Sequence, residues 1–293
     1  MSLRHRLLGW LGTRPALRGW TLVAPAGLWL TLFFVVPLLV MVGYSLMPRG
    51  TYGGVESGFT LEHYRRFFEP LYLAILQRTL VVSVLCTLVC LLLGYPVAYV
   101  LARSRRWRNL LLFLVVLPFW TSFLVRTFAM IFLLRDTGLV NSLLLRLGVI
   151  EEPLILLYTP FAVMAGLVYS FLPFMILPIY ASLERLDPSL LEAASVLGAR
   201  PAARFWRVTF PLSLPGVIAG CLLVFIPALG SFLPSDLLGG AKQMLIGNLI
   251  QNQFTAARNW PFGSAASLVV MVTVLAGVLA YLRTRDRPAS GGA

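Results

Sequence analysis

Apolar, uncharged runs at or near membrane-spanning length recur six times along this chain, and no other feature constrains its fold as strongly. They are Gly19–Pro48, Thr79–Ala102, Asn109–Val125, Pro153–Leu183, Val208–Ser235 and Asn259–Leu282. A hydrocarbon layer of about 30 Å is crossed by roughly 20 helical residues, so each run is one predicted helical span. Spanning strands are excluded, because open sheet edges cannot be left in lipid and no ten-residue alternation of apolar and polar residues occurs. Composition agrees: 59% of residues are hydrophobic and 12% charged, far from the roughly 25% charged of soluble domains. The expectation is an all-α polytopic membrane protein. Its single transmembrane domain covers residues 1–293, with six transmembrane helices near 20–46, 73–102, 109–134, 157–182, 212–235 and 262–282.

Charge placement orients the spans. With the N-terminus in the cytoplasm, the inner segments gather Arg4, Arg6, Arg14 and Arg18, then Arg103, Arg105, Arg106 and Arg108. Arg185, Arg200, Arg204 and Arg207 follow, and Arg283, Arg285 and Arg287 close the chain. The acids there are Glu184, Asp187, Glu192 and Asp286, whereas the outer loops are mixed in sign. Both termini are therefore expected inside. This bias accounts for the formal net charge of +13 without a nucleic-acid partner. The first apolar run is too long for a cleaved signal and reads as a retained span.

Metal and redox chemistry find little support. Cys86 and Cys90 share a helix face, but no His or carboxylate is near them in sequence; with Cys221 they read as small packing residues. His5 and His63 are isolated. Between spans one and two, Thr60 is placed to cap a short amphipathic helix within Phe59–Phe68. Gln243–Ala257 is uncharged but too short and amide-rich to span, so an amphipathic outer helix is expected there. Pro173 and Pro178 in span four, and Pro227 and Gly230 in span five, are expected kinks, places where backbone groups can face a cavity rather than lipid.

One stretch departs from this pattern: residues 187–215, a polar and basic island between spans four and five. Asp187 or Ser189 can cap a helix, Pro188 suits its first position, and Ser189-Leu190-Leu191-Glu192 has capping-box spacing. Gly198 suits the stop. Pro201 can start a second short helix, expected to end at Pro211. A helix with small Ala193 and Ala194 on one face and a fixed Glu192 suits insertion into a groove of a soluble partner; a passive connector is the alternative.

The spacing carries a resemblance. Glu192-Ala193-Ala194, Gly198, Val208 and Phe210-Pro211 resemble the EAA-x3-G-x9-I-x-L-P pattern of ABC importer permeases, with Val for Ile and Phe for Leu. Further stretches are similar to the spermidine/putrescine (PotB-type) branch of that family. These are Leu117–Thr127, Leu134–Asn141, Pro234–Gly240, Ile246–Ile250 and Asn259–Ala265. Opine, thiamine, iron and phosphonate permeases are related alternatives. The resemblance implies a type I permease fold and a cytoplasmic loop over 184–211 whose coupling helix docks on an ATPase. Glu192, Ala193, Ala194, Gly198 and Pro211 would serve that coupling. It also implies a cytoplasmic ABC ATPase dimer, a second homologous permease and an extracytoplasmic substrate-binding protein, within membrane lipid. No Gly-x4-Gly-Lys-Ser/Thr stretch occurs, so no cofactor is expected on this chain; ATP and Mg belong to the partner ATPase. The chain is read as a transport subunit and not an enzyme.

A polyamine is a flexible polycation, best held by carboxylates and aromatic faces. The charges at span depth are Arg126, in the third predicted span, and Asp236, near the outer end of the fifth. Ionisable groups at such depth are functional by default. Asp236, Trp120 and Tyr169 are the candidates for contacting a cation. Arg126 is expected to order an acid or a carbonyl, and a structural pairing of Arg126 with Asp236 is the alternative.

Overall fold

The structure, a computed structural model, describes residues 15–104, 106–240 and 243–285. Arg4, His5, Arg6, Arg14, Arg105, Lys242, Asp286 and Arg287 lie outside the described residues. Among those described, the backbone is helical apart from turns and one isolated bridge, Arg49 with Val55. Six helical stretches are long and apolar enough to cross a bilayer. The chain divides into two compact units, residues 1–68 with 253–293, and residues 69–252.

In the first unit, α1 (Pro15–Leu30) continues through a π-turn (Thr31–Val35) into α2 (Val36–Ser45). The Val36 N–H reaches Thr31 O, five residues back, immediately before Pro37. Proline has no N–H and crowds the preceding turn, and a widened turn absorbs both effects. The short helix α3 (Glu62–Phe67) packs on α14 (Trp260–Arg285), where Phe67 is fully buried and Arg66 stacks over Phe262. Thr60 Oγ1 accepts from the Glu62 N–H at 3.2 Å, although Leu61 is the N-cap residue. His63 lies 3.0 Å from Met47 O and Tyr64 Oη 2.8 Å from Ser45 Oγ, so both rings tie α3 to the end of α2.

In the second unit, α4 (Pro70–Arg103), α8 (Pro160–Glu184) and α11 (Phe210–Gly230) form the core. Without a hydrophobic force between helices in lipid, association depends on close approach over small residues. A Cβ at Gly216 would sit 2.5 Å from Pro178 O, so only glycine lets α11 and α8 meet there. Cys86 and Cys90 are fully buried, with Cys90 Sγ 3.8 Å from Val168 O.

Two of the expected spans are broken. The third separates into α5 (Arg108–Val116), a 3-10 turn (Leu117–Trp120) and α6 (Phe123–Leu134), with extended backbone at Thr121 and Ser122. Pro118 lacks an N–H to continue the α ladder, and the Thr121 hydroxyl donates to Pro118 O at 2.8 Å. Helix α7 (Leu139–Arg146) follows. Its fully buried Asn141 bonds both Leu154 O and Leu154 N, closing the loop between the third and fourth spans.

The fifth span ends at Gly230, and α12 (Leu233–Gly239) starts after a break at Ser231 and Phe232. That break is supported from the following segment. Asn248, on α13 (Ile246–Phe254), donates to Phe232 O at 3.0 Å, and the Ile246 N–H donates to Thr79 Oγ1 of α4 at 2.9 Å. The amphipathic reading of this segment describes it in part: Leu245 and Leu249 are buried, while Met244 is half-exposed.

Candidate functional site

The polar island folds as a capped helix and a continuing one. Helix α9 (Pro188–Val196) begins at Asp187, whose carboxylate accepts from the Ser189 N–H at 2.9 Å. The cap is therefore Asp187 rather than Ser189, and Pro188 occupies the first turn, where its missing N–H costs nothing. That bond stabilises the ionised form and holds the Asp187 carboxyl below the ordinary carboxylate range. At the other end Gly198 adopts φ +79°. Its N–H donates to Ser195 O at 3.0 Å, and the Ala199 N–H to Ala194 O at 3.0 Å. This pair of bonds is a complete Schellman motif.

The helix between these caps buries none of its residues. Glu192 and Ala193 are exposed, and Ala194 is half-buried. Beyond them Val196 and Leu197 are 88% and 86% exposed. Two large apolar side chains thus stand exposed at the tip of a polar loop.

The return arm differs from expectation. α10 (Pro201–Arg204) runs through a π-turn (Phe205–Thr209) directly into α11, so Pro211 does not end a helix but sits at the start of the span. The reason is the one seen at Pro37: the Phe210 N–H reaches Phe205 O, five residues back, just before the proline. Pro211 is exposed.

Two links passed unnoticed in the sequence. Arg204 Nη1 donates to Ser195 Oγ at 2.6 Å, and that hydroxyl donates to Leu191 O at 2.7 Å, clasping the arms together. Phe205 meets Tyr95 and Tyr99 of α4 edge-on at 5.6 and 5.9 Å, and Tyr95 Oη lies 2.9 Å from Ser213 Oγ. The loop is thus joined to the core of the second unit by aromatic contacts. The only sequence trace of this cluster is the aromatic density of Phe205, Trp206 and Phe210.

The four solute-path candidates are not assembled into one site. Trp120 closes the 3-10 turn at the break in the third span, 76% exposed and edge-on to Phe113. Tyr169 lines an apolar groove with Pro118 and Leu172. Asp236 is exposed in the first turn of α12. Arg126 is buried on α6 near the Phe123 ring, and its Nε and Nη1 have no hydrogen-bond partner. Helices α6 and α12 pack together, yet Arg126 and Asp236 form no ion pair. One is buried and the other faces outward, so the structural pairing is not realised. No cluster of three or more metal-ligating side chains occurs among the described residues.

Comparison with known proteins places these features. The sequence profile of the family described as "Binding-protein-dependent transport system inner membrane component" matches residues 90–285. The spermidine/putrescine transport system permease protein PotB of Escherichia coli K12 is 47% identical over 256 residues, 87% of this chain and 93% of that protein. Its counterpart in Haemophilus influenzae is 45% identical, covering 87% of this chain and 90% of that one. A crystal structure of a bacterial ABC transporter involved in import of the acidic polysaccharide alginate has the same fold. Its TM-score is 0.70 at 20% identity, covering 97% of this chain and all of the other. This chain belongs to the family of binding-protein-dependent transport system inner membrane components, as a multi-pass, non-catalytic permease subunit of an ABC importer.

Proposed function

We propose that this permease moves polyamines of the spermidine and putrescine class across the inner membrane by alternating access. It is driven by a separate ATPase that binds ATP and Mg. Similarity to the PotB permeases along 87% of the chain supports the substrate class more than any other observation. The N- and C-termini and the loop over 184–211 face the cytoplasm in this reading, in keeping with the arginine bias. A second homologous permease completes the path, and an extracytoplasmic binding protein delivers the solute.

Helix α9 is the coupling helix. It is capped at both ends, exposed along its length and tipped with Val196 and Leu197, as an element fitted into a partner's groove must be. Closure of the ATPase pushes on α9. The Ser195–Arg204 clasp passes the displacement to the return arm, and Phe205 passes it to Tyr95 and Tyr99 on α4. Glu192, Ala193 and Ala194 supply the docking face, Gly198 the stop, and Pro211 fixes the π-turn. Asp236, Trp120 and Tyr169 contact the cationic solute, while Arg126 orders a carbonyl or an acid of the path.

Uptake of labelled spermidine in cells carrying the complete transporter tests both parts. Glu192→Lys is expected to abolish uptake while leaving the chain in the membrane, and unimpaired solute-stimulated ATP hydrolysis by that variant would remove α9 from the coupling role. Tight binding of an anion by the partner binding protein, with no response to spermidine or putrescine, would overturn the substrate class.

A further inference from the structure

Tyr169, proposed above to reach the solute, also borders an apolar groove, none of whose other lining residues has a part in the transport reading. Its volume is about 550 Å³, within the range of ligand-sized pockets. Three helices of the second unit line it. α4 contributes Val97, Val100 and Leu101, α5 contributes Leu111 and Leu114 with Pro118 of the 3-10 turn after it, and α8 contributes Leu172 and Ile176 beside Tyr169. Its lining side chains are apolar apart from the Tyr169 hydroxyl, and several are open to the outside: Val100 is 57% exposed and Leu114 53%.

Helical periodicity carries each wall onward to the same end. From Pro118 in the 3-10 turn, the stripe continues through Leu114 and Leu111 of α5 to Arg108. On α4 Val97, Val100 and Leu101 lead to Ser104. On α8 Leu172 and Ile176 lead through Tyr180 to Glu184. Those continuations, Ser104, Arg108 and Glu184, line a second, polar pocket of about 430 Å³ together with Arg103. The apolar groove and the arginine-rich polar compartment therefore follow one another along the same three helices.

The charges there favour an anion. Arg103 stacks on Tyr99 at 4.3 Å and remains exposed. Arg108 pairs with Glu184 and lies 5.5 Å from the Tyr180 ring. Two arginines thus face one carboxylate. Tyr180, one turn before Glu184 on α8 and beside Arg108, is 7% exposed, and its hydroxyl has no hydrogen-bond partner. A buried hydroxyl left in that state is a donor waiting for an acceptor.

From this geometry we infer a binding site for an anionic phospholipid, with acyl chain along α4, α5 and α8 and phosphate between Arg103 and Arg108. Between membrane spans the abundant apolar matter is lipid, and basic pockets at helix ends select acidic headgroups. A helix of a second permease would satisfy the groove but not the surplus positive charge at its end. The same polar pocket is walled by Pro188 and Leu191 of α9. A bound headgroup therefore touches the first turns of the loop helix and links leaflet composition to its position.

Native mass spectrometry of the full-length chain in detergent, with equal phosphatidylglycerol and phosphatidylcholine added, tests the site. One phosphatidylglycerol is expected to be retained over phosphatidylcholine by roughly tenfold. Leu114→Trp, which fills the groove from a half-exposed position, is expected to remove the adduct. Arg103→Gln is expected to keep an adduct and erase the preference. Equal retention of both lipids by the unaltered chain, or an adduct indifferent to both substitutions, would overturn the site. So would cross-linking of a Leu114→Cys variant to the second permease in the assembled transporter. Because binding is read by mass, a negative result is separate from any failure of solute uptake.

Discussion

At the scale of single residues, the loop helix depends on its two ends. Gly198 sits at φ +79° with open space where a Cβ would be, so any penalty for a side chain there comes from the backbone alone. A non-glycine residue in that conformation costs about 1–2 kcal/mol, least for Asn. Gly198→Val should therefore speed hydrogen exchange at the Ala199 amide, which donates to Ala194 O, and Gly198→Asn should affect it less. At the other end the Asp187 carboxyl is held below its ordinary range by the Ser189 N–H. A lowered folded value means the cap is fully formed above the unfolded carboxylate range, near pH 4, and is lost as pH falls through the lower, folded value. Exchange at the Ser189 amide, corrected for intrinsic chemistry, is expected to be flat from neutrality to about pH 4 and to rise below it. Protection that weakened between pH 7 and 5 would contradict the Asp187 cap.

At the scale of elements, both π-turns precede a proline by one residue, before Pro37 and before Pro211. The extra residue in the turn rotates everything before it by about 100° relative to the helix that follows. Pro211→Ala restores an N–H that can bond Arg207 O and lets the turn relax to ordinary α geometry. The expected outcome is a span at least as stable to heating but a return arm turned out of register with the loop, with lowered uptake per ATP hydrolysed. Unchanged coupling in reconstituted vesicles would show that the π-turn has no such role. The sequence made the ends of α9 legible, because Asp187-Pro188 and Gly198 act through local backbone chemistry. It did not reveal the return arm: proline was read as a stop, whereas a widened turn lets the helix continue. The break at Thr121 was equally hidden, whereas the one at Ser231 directly follows Gly230, an expected kink. Apolar content reports burial in lipid and is silent on where a ladder of hydrogen bonds is interrupted.

At the scale of the whole molecule, composition and run length alone define a six-span helical membrane protein, since length and apolarity are summed over many residues; that it is a permease came from the spacing of Glu192-Ala193-Ala194, Gly198 and Pro211. The solute path was less accessible. Arg126 and Asp236 were conspicuous as charges among apolar residues, but their relation depends on which way α6 and α12 turn their faces, and no run of letters encodes that. The same limit hid the Arg204–Ser195 clasp, two polar side chains nine positions apart. What the loop leaves uncovered also bears on the life of the chain in the cell. Val196 and Leu197 stand bare at the tip of α9, and a subunit synthesised without its ATPase keeps that greasy end on display to proteases and chaperones. Orphan chains should turn over faster than assembled ones in pulse-chase measurements, and Val196→Ser with Leu197→Ser should lengthen the orphan's half-life. Under the docking role proposed for α9, the same two side chains also serve as a timer, setting how long an unmatched copy survives.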